Sequence, residues 1–274
     1  MPRFTANQNK KFWDLYALKS KDSPIGAHSD RHIVDFENNF FSMVLKSIKP
    51  RSLLDVGCGN GQRTIFFSKY VKGKTLGIDY SDKMIDYAKI VLSRQKKLIR
   101  QKVSFEVQDI QNYSNNKKYD VIISCRTFVN QPTCEDQVRL FKKLHSRLNK
   151  NGSLLIAEIS EEGNASLIDL RKKHGLSPTK PRNRNMRNLY ISEKKVFSKI
   201  SNLFETKEIR RGGVFYYITR IIHPVLVYPA EPKANAKIND IGLKSEFIMQ
   251  DELRGIDNPF EKFGEHILAH FVKK

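Results

Sequence analysis

The sequence predicts an α/β fold, a parallel sheet with helices on both faces joined by right-handed crossovers. Two features point to it. From Ser52 to Glu158, short apolar runs alternate with segments of helical spacing, and the first apolar run stops at a cluster of glycines.

Ahead of that region, Phe12-Trp13-Asp14-Leu15-Tyr16 and residues 30–48 have helical spacing, with Ser23-Pro24-Ile25-Gly26 as the turn between them. They are expected to cover the ligand edge of the sheet. Ser52-Leu53-Leu54-Asp55-Val56 then reads as a buried parallel strand feeding a tight turn. A helical segment over 62–70 follows, then Thr75-Leu76-Gly77-Ile78-Asp79 as a second strand. A helix over 81–92 comes next, with Ser81 and Asp82 suited to cap it. Val103-Ser104-Phe105-Glu106-Val107 alternates as a third strand, and 119–124 is the more continuously apolar run of a central one. Residues 137–149 place Val138, Leu140, Phe141, Leu144 and Leu148 at helix spacing. Asn151-Gly152 is expected to end that helix before a strand over 153–158. Further on, 196–203 reads as a helix, 205–211 as a strand and 265–274 as the final strand. The organisation expected is an N-terminal helical lid over 1–48, a cofactor-binding core over 49–160, and residues 161–274 completing the same domain. An insertion at about 212–259 is placed as a substrate cap.

Composition bounds the class. With 39% hydrophobic and 28% charged residues in 274, the chain is globular rather than disordered. The longest apolar stretch, near Val214 to Tyr228, is interrupted by Arg220, His223 and Pro224 and falls short of the roughly 20 apolar residues that span a bilayer. The first eleven residues are polar and lack the apolar centre of a signal peptide, so a cytoplasmic protein is expected. Cys58, Cys125 and Cys134 show neither disulfide nor zinc spacing, so reduced thiols and no metal site are expected. Lys and Arg number 49 against 29 Asp and Glu, an excess spread along the chain that favours weak association with anions.

The chemistry concentrates at strand ends. In Asp55-Val56-Gly57-Cys58-Gly59-Asn60-Gly61 the glycines allow a sharp turn off the strand and let backbone amides approach a ligand closely. Ligands of open parallel sheets bind beyond the carboxyl ends of strands, where strand order reverses, which is where this turn lies. The even spacing of Gly57, Gly59 and Gly61 does not match a GxGxxG dinucleotide turn, and no Walker lysine follows. Asp79 ends the second strand, where a carboxylate accepts from both hydroxyls of a ribose. Asp109 ends the third, where it can accept from an adenine amine while the amide of Ile110 donates to the ring.

On these residues the sequence resembles the class I S-adenosylmethionine-dependent methyltransferases. Leu54-Asp55-Val56-Gly57-Cys58-Gly59-Asn60-Gly61 is similar to the family's first motif and Leu76-Gly77-Ile78-Asp79-Tyr80-Ser81 to its second, within a matching stretch from about Leu53 to Glu158. The resemblance implies a Rossmann-like, seven-stranded, mostly parallel sheet with an antiparallel last strand, and S-adenosyl-L-methionine as cofactor. It implies Asp55 and the glycine loop at the methionyl portion, Asp79 at the ribose, Tyr80 and Met84 beside the adenine, and Asp109 with Ile110 at its polar edge. Residues after the fourth strand face the methyl group in this family, which points here to Ser124, Arg126, Asn130 and Gln131.

Methyl transfer from a sulfonium needs the acceptor positioned near attack distance, and a base only when the acceptor is protonated. The candidate bases are His28, His32 and, favoured by its place in the cap, His223. Arg126 is placed to bind an acidic substrate and Glu158, ending the fifth strand, to hold an acceptor hydroxyl. The turn after the fourth strand, Ser124-Cys125-Arg126-Thr127-Phe128, lacks the Asp/Asn-Pro-Pro-aromatic pattern of enzymes acting on adenine or glutamine nitrogens. Cys125 is read as a small buried residue, not a nucleophile. The function expected is methyl transfer to an oxygen or nitrogen of a small molecule, acidic or sugar-like. The alternatives are an RNA methyltransferase using the basic segment 171–187 and a non-catalytic cofactor-binding protein.

Overall fold

Two helices, α1 (Ala6–Ser20) and α2 (Arg31–Ile48), precede strand β1 (Ser52–Val56). The core continues through α3 (Gln62–Ser68), β2 (Lys74–Asp79), α4 (Asp82–Ser93), the single turn α5 (Lys97–Arg100), β3 (Val103–Val107), β4 (Tyr119–Cys125), α6 (Cys134–Ser146) and β5 (Leu148–Ile159). It is completed by α7 (Glu161–Lys173), α8 (Glu193–Ser198) and β6 (Phe204–Arg210). A helical insertion of α9 (Gly213–Tyr217), a wide turn over Ile218–Ile222, α10 (His223–Val227) and α11 (Ala236–Glu252) then leads to β7 (His266–Lys273). The computed structural model describes residues 4–26, 30–178, 189–230, 232–252 and 259–274.

The seven strands form one sheet in the order β3-β2-β1-β4-β5-β7-β6. The first five strands are parallel, and β7 pairs antiparallel with both β5 and β6. Strand order reverses between β1 and β4, directly beyond the glycine turn. Alternation along each strand sends side chains to two separate cores. Leu54, Val56, Ile122, Leu154 and Ile156 pack beneath Phe141 and Leu144 of α6, while Leu53, Val121, Ile123 and Leu155 meet Phe40, Phe41 and Leu45 of α2.

The helix boundaries follow local chemistry. Thr5 accepts from the Gln8 amide while the Gln8 side chain accepts from the Thr5 amide, closing a capping box at the start of α1. Asp30 caps α2, Ser81 caps α4 and Ser160 caps α7 through side-chain oxygens. Several boundaries differ from the sequence reading: α1 starts at Ala6 rather than Phe12, α6 at Cys134 rather than Gln137, α8 spans Glu193–Ser198 rather than 196–203, and α7 has no counterpart in it. The helix expected to run to residue 149 stops at Ser146, and β5 begins at Leu148, opposite Tyr119, with a register shift before the main ladder. Asn151, at φ +58°, makes the left-handed bend inside the longer strand rather than ending the helix.

The basic segment divides. Arg171 is buried and donates to the carbonyls of Ser177 and Arg220, so it stitches α7 to the insertion instead of meeting solvent. Residues 179–187 of that segment lie outside the described residues. Among the described residues no helix is long and apolar enough to cross a membrane, and no group of three or more His, Cys, Asp or Glu side chains is arranged to hold a metal.

Within the insertion α9 packs on the short turn ahead of β7 by a close approach at Gly213, where a Cβ would stand 1.6 Å from the Phe260 carbonyl oxygen. Gly213→Ala is therefore expected to lower stability by about 1–3 kcal/mol, the ordinary range for overpacking. Denaturant unfolding measures this, and an unchanged midpoint would contradict the contact.

Candidate active site

A cavity of about 500 Å³ follows the carboxyl rim of the sheet, within the usual range for small-molecule sites. Gly57, Gly59 and Gly61 all adopt positive φ, at 74°, 53° and 75°. Their reasons differ. Gly59 lines the cavity and a Cβ there would project toward Met84 Sδ, 3.9 Å away, taking up space a ligand needs. Gly61 instead lets α3 start against Phe105 and Ala88, which a Cβ would meet at 2.5 and 2.9 Å. The ligand contact expected of Gly61 is thus a packing role.

Asp79 ties the loop to the next helix. Its carboxylate accepts from the Gly59 amide at 3.0 Å and the Ser81 amide at 2.9 Å, and burial pushes its carboxyl up to about 6 against those two bonds. Asp55 is also buried and accepts from Thr64 Oγ1 at 2.6 Å; desolvation raises it. Tyr80, Met84, Asp109 and Ile110 line the same end of the cavity, and Asp109 accepts from the Gln111 amide at the start of the turn that follows β3.

The N-terminal helices cover this end. Asn9, Phe12, Trp13 and Tyr16 of α1 line the cavity. Asp14 accepts from Ser81 Oγ at 2.5 Å, Lys10 pairs with Asp82, and Asn60 donates to the carbonyls of Lys21 and Ser23. The side chains that fasten α1 therefore belong to the same turns that shape the cavity floor.

Toward β4 the cavity turns cationic. Arg126 follows β4 in a left-handed conformation, φ +56°, with its amide donating to the Ala157 carbonyl. Its guanidinium donates to Glu37 Oε1 at 2.5 Å, and Arg63 donates to Glu37 Oε2 at 2.7 Å. Glu37 is fully buried; Arg63 and Arg126 both line the cavity. The Arg63 guanidinium also packs on the rings of Phe41 and Phe67, and its buried Nη2 has no hydrogen-bond partner among the described residues. Among the described residues Glu37 bridges both guanidinium groups, and the Asp55 carboxylate also acts on Arg63. Thr127, Asn130 and Gln131 complete this part of the lining, and Ile159, Tyr190 and His266 close the far end.

Three residues expected at the reacting end lie elsewhere. Glu158 is fully buried beneath the lining, where its carboxylate accepts from the amides of Phe128 at 2.9 Å and Val129 at 3.2 Å. Burial pushes it up to about 8, and its work is to hold the turn that presents Arg126 and Asn130. Ser124 is fully buried within β4, between Val56 and Ile156, and does not reach the cavity. His223 is buried in the insertion away from the lining, because α9, not α10, meets the sheet rim. His32 is held between Asp30 and Asp240, and His28 lies outside the described residues. Burial pushes the Cys125 thiol up to about 12, which keeps it neutral. Arg63, Glu37 and His266 escaped the sequence reading. Each is an ordinary helix or strand residue by pattern, and only the fold brings them to one wall.

The glycine loop against a buried acidic strand end, an aromatic lid and an open rim where strand order reverses are the arrangement that the resemblance to class I S-adenosylmethionine-dependent methyltransferases leads one to expect. The space opposite Gly59 and the two amide-held oxygens of Asp79 fit that cofactor. A family profile described as a methyltransferase domain matches residues 49–207, and the chain belongs to that family. Among curated relatives, the protein of invertebrate iridescent virus 6 named "Putative methyltransferase 235L" is 36% identical over 176 residues, covering 62% of this chain and 58% of the relative. Malonyl-[acyl-carrier protein] O-methyltransferase 1 of Ilyobacter polytropus is 34% identical over 150 residues, covering 53% of this chain and 50% of the relative. The chain thus spans about half the length of the curated relatives it matches. Among solved structures, magnesium protoporphyrin IX methyltransferase of Synechocystis PCC 6803 with bound S-adenosylhomocysteine shares the fold, at TM-score 0.59 and 14% identity over 98% of this chain and all of that one.

Among the described residues Glu37 alone joins the two guanidinium groups, so Glu37→Ala should destabilise the protein by about 3–5 kcal/mol, the cost of leaving buried charge unpaired. Calorimetric melting measures it. A loss below about 1 kcal/mol, the exposed-pair range, would contradict the buried bridge.

Proposed function

We propose that this chain transfers a methyl group from S-adenosylmethionine to a heteroatom of a small acidic molecule whose anionic group is bound at Arg126. The single observation that carries this reading is the pair of guanidinium groups at the cavity wall, Arg63 and Arg126, which share the buried Glu37 carboxylate, with Arg63 Nη2 unpartnered among the described residues. A guanidinium held in fixed orientation suits a carboxylate or phosphate through paired N–H donors. The relatives named malonyl-[acyl-carrier protein] O-methyltransferase act on an acceptor of acidic character, which agrees in class.

The division of labour follows the rim. Asp79 and the amide-bearing glycine loop bind the ribose and methionyl portions, with Tyr80, Met84, Asp109 and Ile110 around the adenine. When bound, the cofactor supplies a methyl group already activated by a sulfonium. The chain's own task is then to place the acceptor in line and to exclude water, which Phe12, Trp13 and Tyr16 do from above and Phe67 and Val129 from the sides.

Radiolabelled cofactor offered to separate small-molecule and RNA pools tests the function directly; label in the acidic small-molecule pool is expected, and label confined to RNA would overturn the reading. Asp79 gives a pH dependence. Its carboxylate accepts from ribose hydroxyls only when ionised, so S-adenosylhomocysteine affinity should rise with pH through about 6 and be about tenfold weaker one unit below that value. Asp79→Asn should bind weakly at every pH by titration calorimetry, and a pH-independent wild type would remove Asp79 from the ribose. Arg126→Gln should raise the acceptor KM by about tenfold or more, as loss of a charge-assisted bond of about 1.5–3 kcal/mol requires. Affinity for S-adenosylhomocysteine should stay constant, and an unchanged acceptor KM would displace the anionic group from Arg126.

A further inference from the structure

The excess of Lys and Arg is spread along the sequence, but the fold gathers part of it on one rim. The five parallel strands all begin at the end of the sheet opposite the cavity, so the segments that lead into them lie side by side there. Lys46, Lys49 and Arg51 precede β1, and Lys69, Lys72 and Lys74 mark the entry to β2. Lys96, Lys97, Arg100 and Lys102 precede β3, Lys117 and Lys118 precede β4, and Lys150 lies at the bend early in β5. All but the half-buried Lys102 are exposed. Residues 46–51, 69–74, 94–102, 114–118 and 147–151 contain no Asp or Glu. Asp120, just inside β4, is spent on the Arg51 and Ser52 amides and on Asn149. Helix polarity favours cations only around a last turn. Lys72 and Lys74 lie well past the end of α3, and Lys117 and Lys118 follow an irregular segment, so the dipole does not account for them.

Two features beyond charge mark this rim. The first is a recess of about 300 Å³ among the entries to β2, β3 and β4. Lys74, Lys102 and Lys117 line it with Ser104 and Asn115, and Glu106 is the one carboxylate among the described residues that do so. Lys117 Nζ stands 5.6 Å from the ring centroid of Tyr119, which is buried at the recess wall. The second is Leu98 of α5, 75% exposed in the middle of the basic segment that precedes β3. Its neighbour Ile99 packs with Val103 and Phe105, which fixes the turn while Leu98 stays in solvent. A single-stranded nucleic acid would need exposed aromatic faces for its bases. The only aromatic residue in those five segments, Tyr70, is half-buried and edge-on to Phe66.

We propose that this rim docks the protein on an anionic membrane, with its ammonium groups at lipid phosphates, one headgroup in the recess, and Leu98 entering the boundary beneath the headgroups. Each Lys or Arg brought to an anionic bilayer surface strengthens partitioning about fivefold. An inserted apolar residue adds the second signal that stable anchoring takes. Lysine suits the boundary because its long stem lies along apolar surface while its head stays wet. The cavity is then left on the far rim, open to water. The proposal does not depend on the methyltransferase reading.

The test is co-sedimentation of the full chain with vesicles of phosphatidylcholine alone or of phosphatidylcholine with phosphatidylserine, at about 0.1 M salt and at higher salt. Binding to the serine-containing vesicles alone is expected, falling steeply as salt screens the surface; equal binding to both compositions, or to neither, would overturn the proposal. Lys74→Gln, Lys102→Gln and Lys117→Gln together should weaken it about 100-fold, at about fivefold for each charge. Lys233→Gln, Lys237→Gln and Lys244→Gln remove the same charge from the insertion and should cost about twofold at most, since they lie beyond a Debye length of the docked surface. An equal loss in the two triple variants would mean attraction by net charge alone, and the rim would lose its role. Leu98→Ser should weaken binding about tenfold or more; no loss would show that nothing enters the bilayer. A duplex RNA bound more tightly than the vesicles, and weakened by the first triple variant, would assign the rim to nucleic acid instead. An unchanged melting temperature in each variant separates a lost surface from a lost fold.

Discussion

A carboxylate taken fully out of water must be met by fixed donors, and Glu37 meets two guanidinium groups at once. That requirement organises the molecule around the cavity. Glu37 belongs to α2, Arg63 to α3 and Arg126 to the turn after β4, so a single buried charge locates the N-terminal helices against the sheet and sets the sign of the cavity wall. Arg126 occupies a left-handed conformation unfavourable to a side chain with a Cβ, and it does so because the turn is held from below by Glu158 and from the side by the Ala157 carbonyl. The polar residues of this wall thus form a chain of mutual support from α2 to the end of β5.

Much of the cofactor end was legible in the sequence because its information is local. Asp55 and the glycines lie within one turn of each other, and Asp79 and Asp109 are marked by apolar runs that stop at an acidic residue. Alternation located the strands, and the starts of α2, α3 and α4 were legible, for the same reason. The end of α6 was misplaced because Leu148 continues the helical apolar spacing, yet the residue is claimed by pairing with Tyr119 on the neighbouring strand. Tertiary pairing there outweighs local periodicity.

The acceptor end was much less legible, for a physical reason. Glu37, Arg63, Arg126 and His266 are separated along the chain by whole elements, and no spacing rule connects a helix residue near the N-terminus to the first residue of the last strand. Glu158 illustrates the opposite error. Its position at a strand end suggested an exposed functional acid, but both oxygens are consumed by the amides of the adjacent turn and the side chain never reaches the cavity. What separates Glu158 from Asp79, whose oxygens also accept from two amides, is place: Asp79 lines the cavity and Glu158 lies beneath it.

The reversed direction of β7 has a consequence for how this scaffold tolerates change. Whatever chain length lies between β6 and β7 must return to the sheet at the reactive rim, whereas the cofactor-gripping loops leave from β1, β2 and β3 several strands away. The segment therefore reaches the rim from the far edge of the sheet, and its tie to the rest of the cavity runs through α2, where His32 meets Asp240. Lengthening, shortening or exchanging it would reshape that edge so long as the strand that follows re-enters in register and the contact with α2 is kept.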